Sequence, residues 1–156
     1  MNKTMAFMAS TVLLTFSIAT YSHSEHDKAR FVAENGQDNS QCDNVLRPCK
    51  TIAYAVKQAN KGDKVLVAAG HFAISSSEEL FYLKSELVPI KGGYNQFDHF
   101  QSQSPQSNIT TLTNIPSDMI EPLRSKGFNV IADGKSFAND KELRNVMRDY
   151  VQLSES

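Results

Sequence analysis

The sequence predicts a small, β-rich α+β domain that follows an export signal. Three observations support this prediction: short strand-like runs end at glycine or turn residues, one segment repeats its apolar residues at helical spacing, and the chain opens on an apolar leader. A formal net charge of −1, with the basic residues scattered, gives no electrostatic reason to expect nucleic-acid binding.

The leader has the features of a secretory signal. After Lys3, an uncharged and mostly apolar run extends from Met5 to Ala19, and a polar stretch begins at His23. The run is shorter than the ~20 residues that a membrane helix needs. We therefore expect a signal peptide over residues 1–22 and a secreted or extracytoplasmic location (periplasm, outer surface or medium), with no membrane span after cleavage. An uncleaved N-terminal anchor is the alternative.

The rest of the chain divides into three predicted parts. Residues 23–30 form a polar N-terminal tail, residues 31–137 form the β-rich domain, and residues 138–156 form an amphipathic helix or linker. The last prediction depends on apolar residues that share one helical face: Leu143, Val146, Met147, Tyr150 and Leu153.

The two cysteines, Cys42 and Cys49, are predicted to form a disulfide. They lie close together in a chain that is expected to be exported, and exported thiols tend to be oxidised. A metal-binding pair is the alternative, although it would need further ligands and usually has tighter spacing.

A helix is predicted from Ile52 to Asn60, with its apolar face directed at the strand over residues 65–67. Its apolar residues recur at i, i+3, i+4 and i+7, and Gly62 is predicted to end it as a left-handed cap. A second short helix is expected over residues 117–126. Strands are predicted at residues 31–33, 63–68, 80–83, 87–90, 110–113 and 128–131.

Turn chemistry marks a further set of positions. Glycine accepts backbone conformations that other residues avoid, and aspartate accepts hydrogen bonds from turn amides. The predicted structural turn and cap residues are Gly36, Asp38, Gly62, Asp63, Gly70, Gly92 and Gly93.

Catalytic and cofactor residues are not predicted. The sequence has no nucleophile elbow, paired-carboxylate motif or phosphate loop. Asp63 could be a catalytic acid, but a turn acceptor is the favoured interpretation.

Metal sites are also not predicted. Glu34, Asp38 and Asp43 form an oxygen-rich loop without the register of a known calcium motif. His23 and His26 could chelate zinc or copper at a mature N-terminus, although a polar tail is favoured. His71 and His99 are single, widely spaced residues, which are interpreted as surface or partly packed side chains.

Several motifs resemble the opening of right-handed parallel β-helix proteins of the pectin-lyase-like class. In that class the pattern marks a first strand, a helix that caps the solenoid, and a strand of the first coil. The resemblance therefore implies a rudimentary right-handed parallel β-helix-like coil with an N-terminal capping helix. The motifs are Asn35-Gly36-x-Asp38, Arg47-Pro48-Cys49-Lys50-Thr51-Ile52 and Asn60-x-Gly62-Asp63-x-Val65-x-Val67.

A wider resemblance is to the N-terminal region of bacterial choice-of-anchor B family proteins. In that family the region precedes β-propeller-like repeats and a surface anchor. The resemblance implies a secreted or cell-surface non-enzymatic module, with the repeats, another surface protein or a glycan as partner. A minimal pectin-lyase-like protein that binds or processes polysaccharide is the alternative. The stretches are His23-Ser24-Glu25-His26-Asp27-Lys28-Ala29-Arg30-Phe31-Val32, Pro89-Ile90-Lys91-Gly92-Gly93-Tyr94-Asn95, Asp98-His99-Phe100 and Gly127-Phe128-Asn129-Val130-Ile131-Ala132-Asp133-Gly134-Lys135.

Overall fold

The computed structural model describes residues 28–132, which form a mixed α+β fold. Within this range the strands make two three-stranded parallel sheets. The first sheet has the order β1-β2-β4, and the second has the order β3-β5-β6. The elements are β1 Ala29–Val32, α1 Ile52–Lys57, β2 Lys64–Ala68, β3 Gly70–Ala73, α2 Ser77–Lys84, β4 Ile90–Tyr94, β5 Thr110–Thr113, a 3-10 turn Ser117–Met119, α3 Ile120–Ser125 and β6 Asn129–Val130.

The predicted rudimentary β-helix coil is wrong. The described chain forms two separate small sheets, and helices lie in the connections between their parallel neighbours. Helix α1 lies between β1 and β2, helix α2 between β2 and β4, and helix α3 between β5 and β6. Parallel strands need long crossover connections, and helices are the usual way to fill them. The architecture is therefore mixed α+β.

The clearest local error lies at residues 80–83, which were predicted as a strand and belong to helix α2. Four consecutive apolar residues fit a buried strand and a buried helix equally well. The helix is specified by its start, because the Ser76 hydroxyl accepts from the Glu79 N–H at 3.2 Å. The Ser-x-x-Glu spacing is the capping signal that could have identified it. At its other end, Lys126 Nζ donates to the Leu83 carbonyl oxygen at 2.8 Å.

Other predicted boundaries shift by a few residues. Helix α1 ends at Lys57, so Gly62 does not cap it; Gly62 instead has a φ of 89° in the following turn. The glycines at positions 92 and 93 lie inside β4 rather than after a strand over residues 87–90. Strand β1 begins at Ala29, within the segment assigned to the polar tail.

Some predicted features lie outside the described residues. These are the signal peptide over residues 1–22, the candidate metal ligands His23 and His26, and the amphipathic helix over residues 138–156. Among residues 28–132, no helix combines the length and the apolar character that a bilayer crossing requires.

The first sheet lies between two apolar layers. Side chains alternate along a strand, so neighbours in β2 face opposite layers. Val65 and Val67 pack in the main core with the apolar face of α1, whereas Leu66 packs on the other side with Phe100. The prediction that α1 contacts residues 65–67 is therefore correct for Val65 and Val67 but not for Leu66. Its buried residues are Ile52, Ala55 and Val56, and Ala59 is partly buried against the same core.

Thr110 connects the two sheets. The Gly93 N–H of β4 donates to Thr110 Oγ1 at 2.9 Å, and this hydroxyl donates to the Ala68 carbonyl oxygen of β2 at 3.0 Å. The side chain is fully buried. Because a buried hydroxyl is costly unless it is hydrogen-bonded, these two bonds hold the start of β5 against the end of the first sheet.

A buried ion pair joins β1 to the turn that precedes β2. Arg30 and Asp63 are 2% and 1% exposed, and Arg30 Nη2 lies 2.7 Å from Asp63 Oδ2. The same oxygen accepts from the Asn60 N–H at 2.9 Å. Asp63 is therefore an acceptor for a turn amide, as the sequence suggested, and it also neutralises a buried cation.

We expect Ala55→Leu to destabilise the protein by roughly 1–3 kcal/mol, because the larger side chain would overpack the contact between α1 and the first sheet. Lys57→Leu, on the exposed side of the same helix, should cost less than about 1 kcal/mol, since it removes only a surface ion pair with Glu78. Thermal melts of the two variants test this. Equal or reversed effects would mean that the helix faces the other way.

We expect Asp63→Ala to cost about 3–5 kcal/mol, because it leaves the Arg30 guanidinium buried without a counter-charge. The matched control is Glu121→Ala, which breaks the exposed pair with Arg124 and should cost no more than about 1 kcal/mol. Urea unfolding measures both. Similar losses in the two variants would argue against a structural role for the buried pair.

Candidate binding surface

Three loops of the first sheet enclose a surface groove of about 290 Å³, called here the loop groove. The turn after β1, the loop closed by the cysteines and the turn after β4 each contribute to it. Its lining is mostly polar and uncharged. The side chains relevant below are the amides of Asn35, Gln37, Asn39 and Gln96, together with Leu46 and Arg47.

The predicted disulfide between Cys42 and Cys49 is confirmed, and it closes one wall of the groove. The sulfur atoms are 2.02 Å apart, and both cysteines are fully buried. Closing a loop of this length contributes about 2–3 kcal/mol in the chain-entropy description. The loop is also attached to β1, because the Phe31 N–H donates to the Cys42 carbonyl oxygen at 2.7 Å and the Cys49 N–H donates to the Phe31 carbonyl oxygen at 2.8 Å.

Asp38 holds the turn after β1 against the start of helix α1. Its Oδ1 accepts from the Lys50 and Thr51 backbone N–H groups at 2.7 and 3.0 Å, and its Oδ2 accepts from Thr51 Oγ1 at 2.7 Å. The carboxylate is thus occupied by internal donors.

Gly36 lies beside Asp38 in the same turn, where the chain passes close to the cysteine loop. A side chain at Gly36 would collide with the carbonyl oxygen of Cys49 and lie 2.7 Å from that of Pro48. Glycine is therefore required at this position by close backbone approach, and the turn has little freedom to move away from the loop.

The turn after β4 carries Gln96 and Phe97. The Phe97 N–H donates to Asn95 Oδ1 at 2.8 Å, and the Phe100 N–H donates to the Asn95 carbonyl oxygen at 2.9 Å. Phe100 is buried, with its ring centroid 5.0 Å from that of Phe31 in β1. The third wall of the groove is therefore anchored to the strand that holds the first two.

Asp98 supports the same turn. The Ser102 hydroxyl donates to Asp98 Oδ2 at 2.6 Å, and the Gln101 N–H donates to Oδ1 at 3.1 Å. These bonds favour the ionised carboxylate, with the bond from Ser102 contributing most, and they lower the pKa of Asp98 below its ordinary value.

Two large apolar side chains are exposed on the loops that form the groove. Phe97 is 90% exposed and follows Gln96, which lines the groove, and Leu46, itself part of the lining, is 73% exposed. Among the residues that the structure describes, these are the most exposed large hydrophobic side chains. Their position next to one polar groove marks this surface as a candidate binding site.

Within residues 28–132, the other sequence candidates do not form a second site. In the part of the chain that the structure describes, no three His, Cys, Asp or Glu side chains are placed to hold a metal ion. His71 is exposed on the second sheet, and His99 lies in the turn after β4. The Glu34 side chain lies beside Gly70, where β2 is followed by β3. Glu34 and Asp38 therefore do not form a shared site.

The loop groove is not evident from the sequence. The segment around Asn35 is predicted only as a turn, and Gln96 is about sixty residues away in the chain. The available signal was that both turns are rich in side-chain amides. That signal is weak alone, because amides are common in turns for purely structural reasons.

Glu79 is a buried acid outside the groove, and burial raises its pKa above the ordinary value of 4.5. Bonds from the Ser75 N–H, the Ser75 hydroxyl and the Ala53 N–H oppose this effect only partly, and the nearby Glu78 adds to it. The carboxylate accepts from the Ser75 N–H at 3.0 Å. Because it reaches Ala53 in α1 from α2, Glu79 has a structural position between the two helices.

Comparison of the chain with protein-family models, curated proteins and solved structures finds no match. Arguments about function therefore depend on the geometry of the chain itself.

The raised pKa of Glu79 predicts a pH-dependent contribution to stability. The folded state binds the proton more tightly than the unfolded state, so this contribution is complete below pH ~4.5 and is lost as the pH rises through the folded pKa. The free energy of unfolding of the wild type, relative to Glu79→Gln, should therefore fall as the pH rises above about 4.5.

Urea unfolding at several pH values provides the data. A wild-type advantage over Glu79→Gln that grows with pH would contradict the assignment.

Proposed function

We propose that the protein is a secreted or cell-surface, non-enzymatic interaction module, related to the N-terminal region of choice-of-anchor B family proteins. The observation that carries the proposal is the loop groove, a braced polar surface with Leu46 and Phe97 exposed beside it. Exposed apolar side chains cost free energy in an isolated protein, and their concentration at one surface is typical of an interaction site.

The proposed location outside the cytoplasm is supported by the leader and by the disulfide. Structural disulfides persist in oxidising compartments and are rare in the cytosol. The bond between Cys42 and Cys49 is buried and closes a loop that carries part of the candidate site. An oxidising location would keep this wall of the groove in place.

The proposed absence of catalysis is supported by the character of the groove. General acid–base or nucleophilic catalysis needs a positioned titratable group or nucleophile. The side chains of the groove are mainly amides, and the neighbouring Asp38 carboxylate is occupied by three internal donors. The alternative of a β-helix protein that processes polysaccharide depended on a coil that the described chain does not form.

The first test is export. The mature protein should begin between Thr20 and Glu25, where small residues precede the polar stretch. N-terminal sequencing of exported material should find this start, and a secreted protein that retains Met1 would contradict it.

The second test is binding at the cell surface. Labelled mature protein is added to cells of the source strain after the gene for the protein has been deleted. The protein should bind to the cell surface saturably and remain chemically unchanged. Heat-unfolded, reduced protein is the control. Non-saturable binding, or turnover of surface polysaccharide by the added protein, would refute the proposed function.

A further inference from the structure

We propose that the loop groove binds an extended segment of a partner protein that presents a carboxylate next to an apolar side chain. This inference rests on the proposed interaction function and adds its site and the chemistry of its ligand. It depends on three observations: the groove has amides that can pair with a peptide backbone, it has one cation without a counter-charge, and two exposed apolar side chains lie in its lining or next to it in the chain.

The amides supply the complement to a peptide backbone. Each side-chain amide both donates and accepts, as each peptide unit does. Asn39 Nδ2 donates to Gln37 Oε1 at 3.0 Å, which fixes these two amides relative to each other. Within residues 28–132, the side chains of Asn35 and Gln96 make no hydrogen bond to the protein, so they are available to a ligand.

Arg47 sets the charge of the ligand. It is the one formally charged residue that lines the groove, and its guanidinium forms no ion pair with the described part of the chain. Asp38, in the turn beside the groove, already accepts from three internal donors. A guanidinium binds carboxylate through two parallel hydrogen bonds, which selects an acidic side chain or a C-terminal carboxylate.

Leu46 and Phe97 favour a protein segment over a glycan. An exposed aromatic ring can stack on a sugar, but a leucine side chain gains most from another apolar side chain. Leu46, 73% exposed, lines the groove, and Phe97, 90% exposed, follows the lining residue Gln96. Apolar contacts surrounded by polar groups are typical of the sites that contribute most to protein–protein affinity.

The groove is also rigid, which reduces the cost of binding. The disulfide closes one wall, the Asp38 bonds hold the second against the start of α1, and the Phe31–Phe100 contact holds the third on β1. When a ligand binds to a preformed site, few protein groups lose conformational entropy. More of the interaction energy therefore contributes to the binding affinity.

The experiment uses the exported, disulfide-intact protein and an array of end-capped hexapeptides. Each peptide contains one Asp and one Leu or Phe at a defined spacing, and a matched set replaces Asp with Asn. A second array carries neutral and uronate-containing oligosaccharides. We expect a subset of the Asp peptides to bind about tenfold or more tightly than their Asn counterparts, because a charge-assisted bidentate contact is lost in the latter.

Two pairs of variants assign the binding to the groove. Arg47→Gln should abolish the preference for Asp, whereas Lys91→Gln, an exposed cation in β4, should retain it. Phe97→Ser should weaken binding to all peptides, whereas Leu87→Ser, an exposed apolar residue elsewhere, should not. Thermal melts and intact mass show that each variant is folded and oxidised.

The outcomes separate this inference from the proposed function. Equal binding of the Asp and Asn peptides, binding to oligosaccharides alone, or unchanged binding by the Arg47 and Phe97 variants would each overturn the inference. Saturable binding to cells without binding to any peptide would also overturn it and leave the proposed function standing. If the wild-type protein does not bind to the cells saturably, the proposed function itself is overturned.

Discussion

The buried pair of Arg30 and Asp63 is the interaction on which the arrangement of the first sheet depends. A guanidinium and a carboxylate removed from water are costly unless they meet each other and fill their remaining hydrogen bonds. Here Asp63 Oδ2 accepts from Arg30 Nε and Nη2 and from the Asn60 N–H, while Arg30 Nη1 donates to the Gln41 carbonyl oxygen. This network therefore fixes the relative positions of three segments: strand β1, the turn before β2 and the start of the cysteine loop.

The candidate binding surface is an extension of this constraint. The backbones of Cys42 and Cys49 both form hydrogen bonds with the backbone of Phe31, the residue after Arg30. The loop that the two cysteines close is therefore fixed to β1. The Phe100 ring packs against the Phe31 ring, and this contact holds the turn after β4 against β1. One short strand thus helps to determine where all three walls of the groove lie.

The elements that the sequence predicted correctly are those with a local cause. The apolar spacing from Ile52 specifies α1, the β-branched run at Thr110 specifies β5, and the spacing of Cys42 and Cys49 suits a loop disulfide. The segment at Leu80 was misread because an unbroken apolar run has no period that separates strand from helix. The family resemblance then led to a β-helix coil, whereas the described strands form two separate sheets with helices in the crossovers.

By itself, the sequence determined the local structure: where turns form, which face of α1 is apolar, and which cysteines are close enough to pair. Only the tertiary structure decided which distant residues meet. Arg30 and Asp63 are 33 positions apart, and Asn35 and Gln96 line one groove from different turns. The physical reason is that periodicity and turn chemistry act over a few neighbouring residues, whereas the pairing of a buried charge and the enclosure of a groove depend on how parallel strands align across long crossovers.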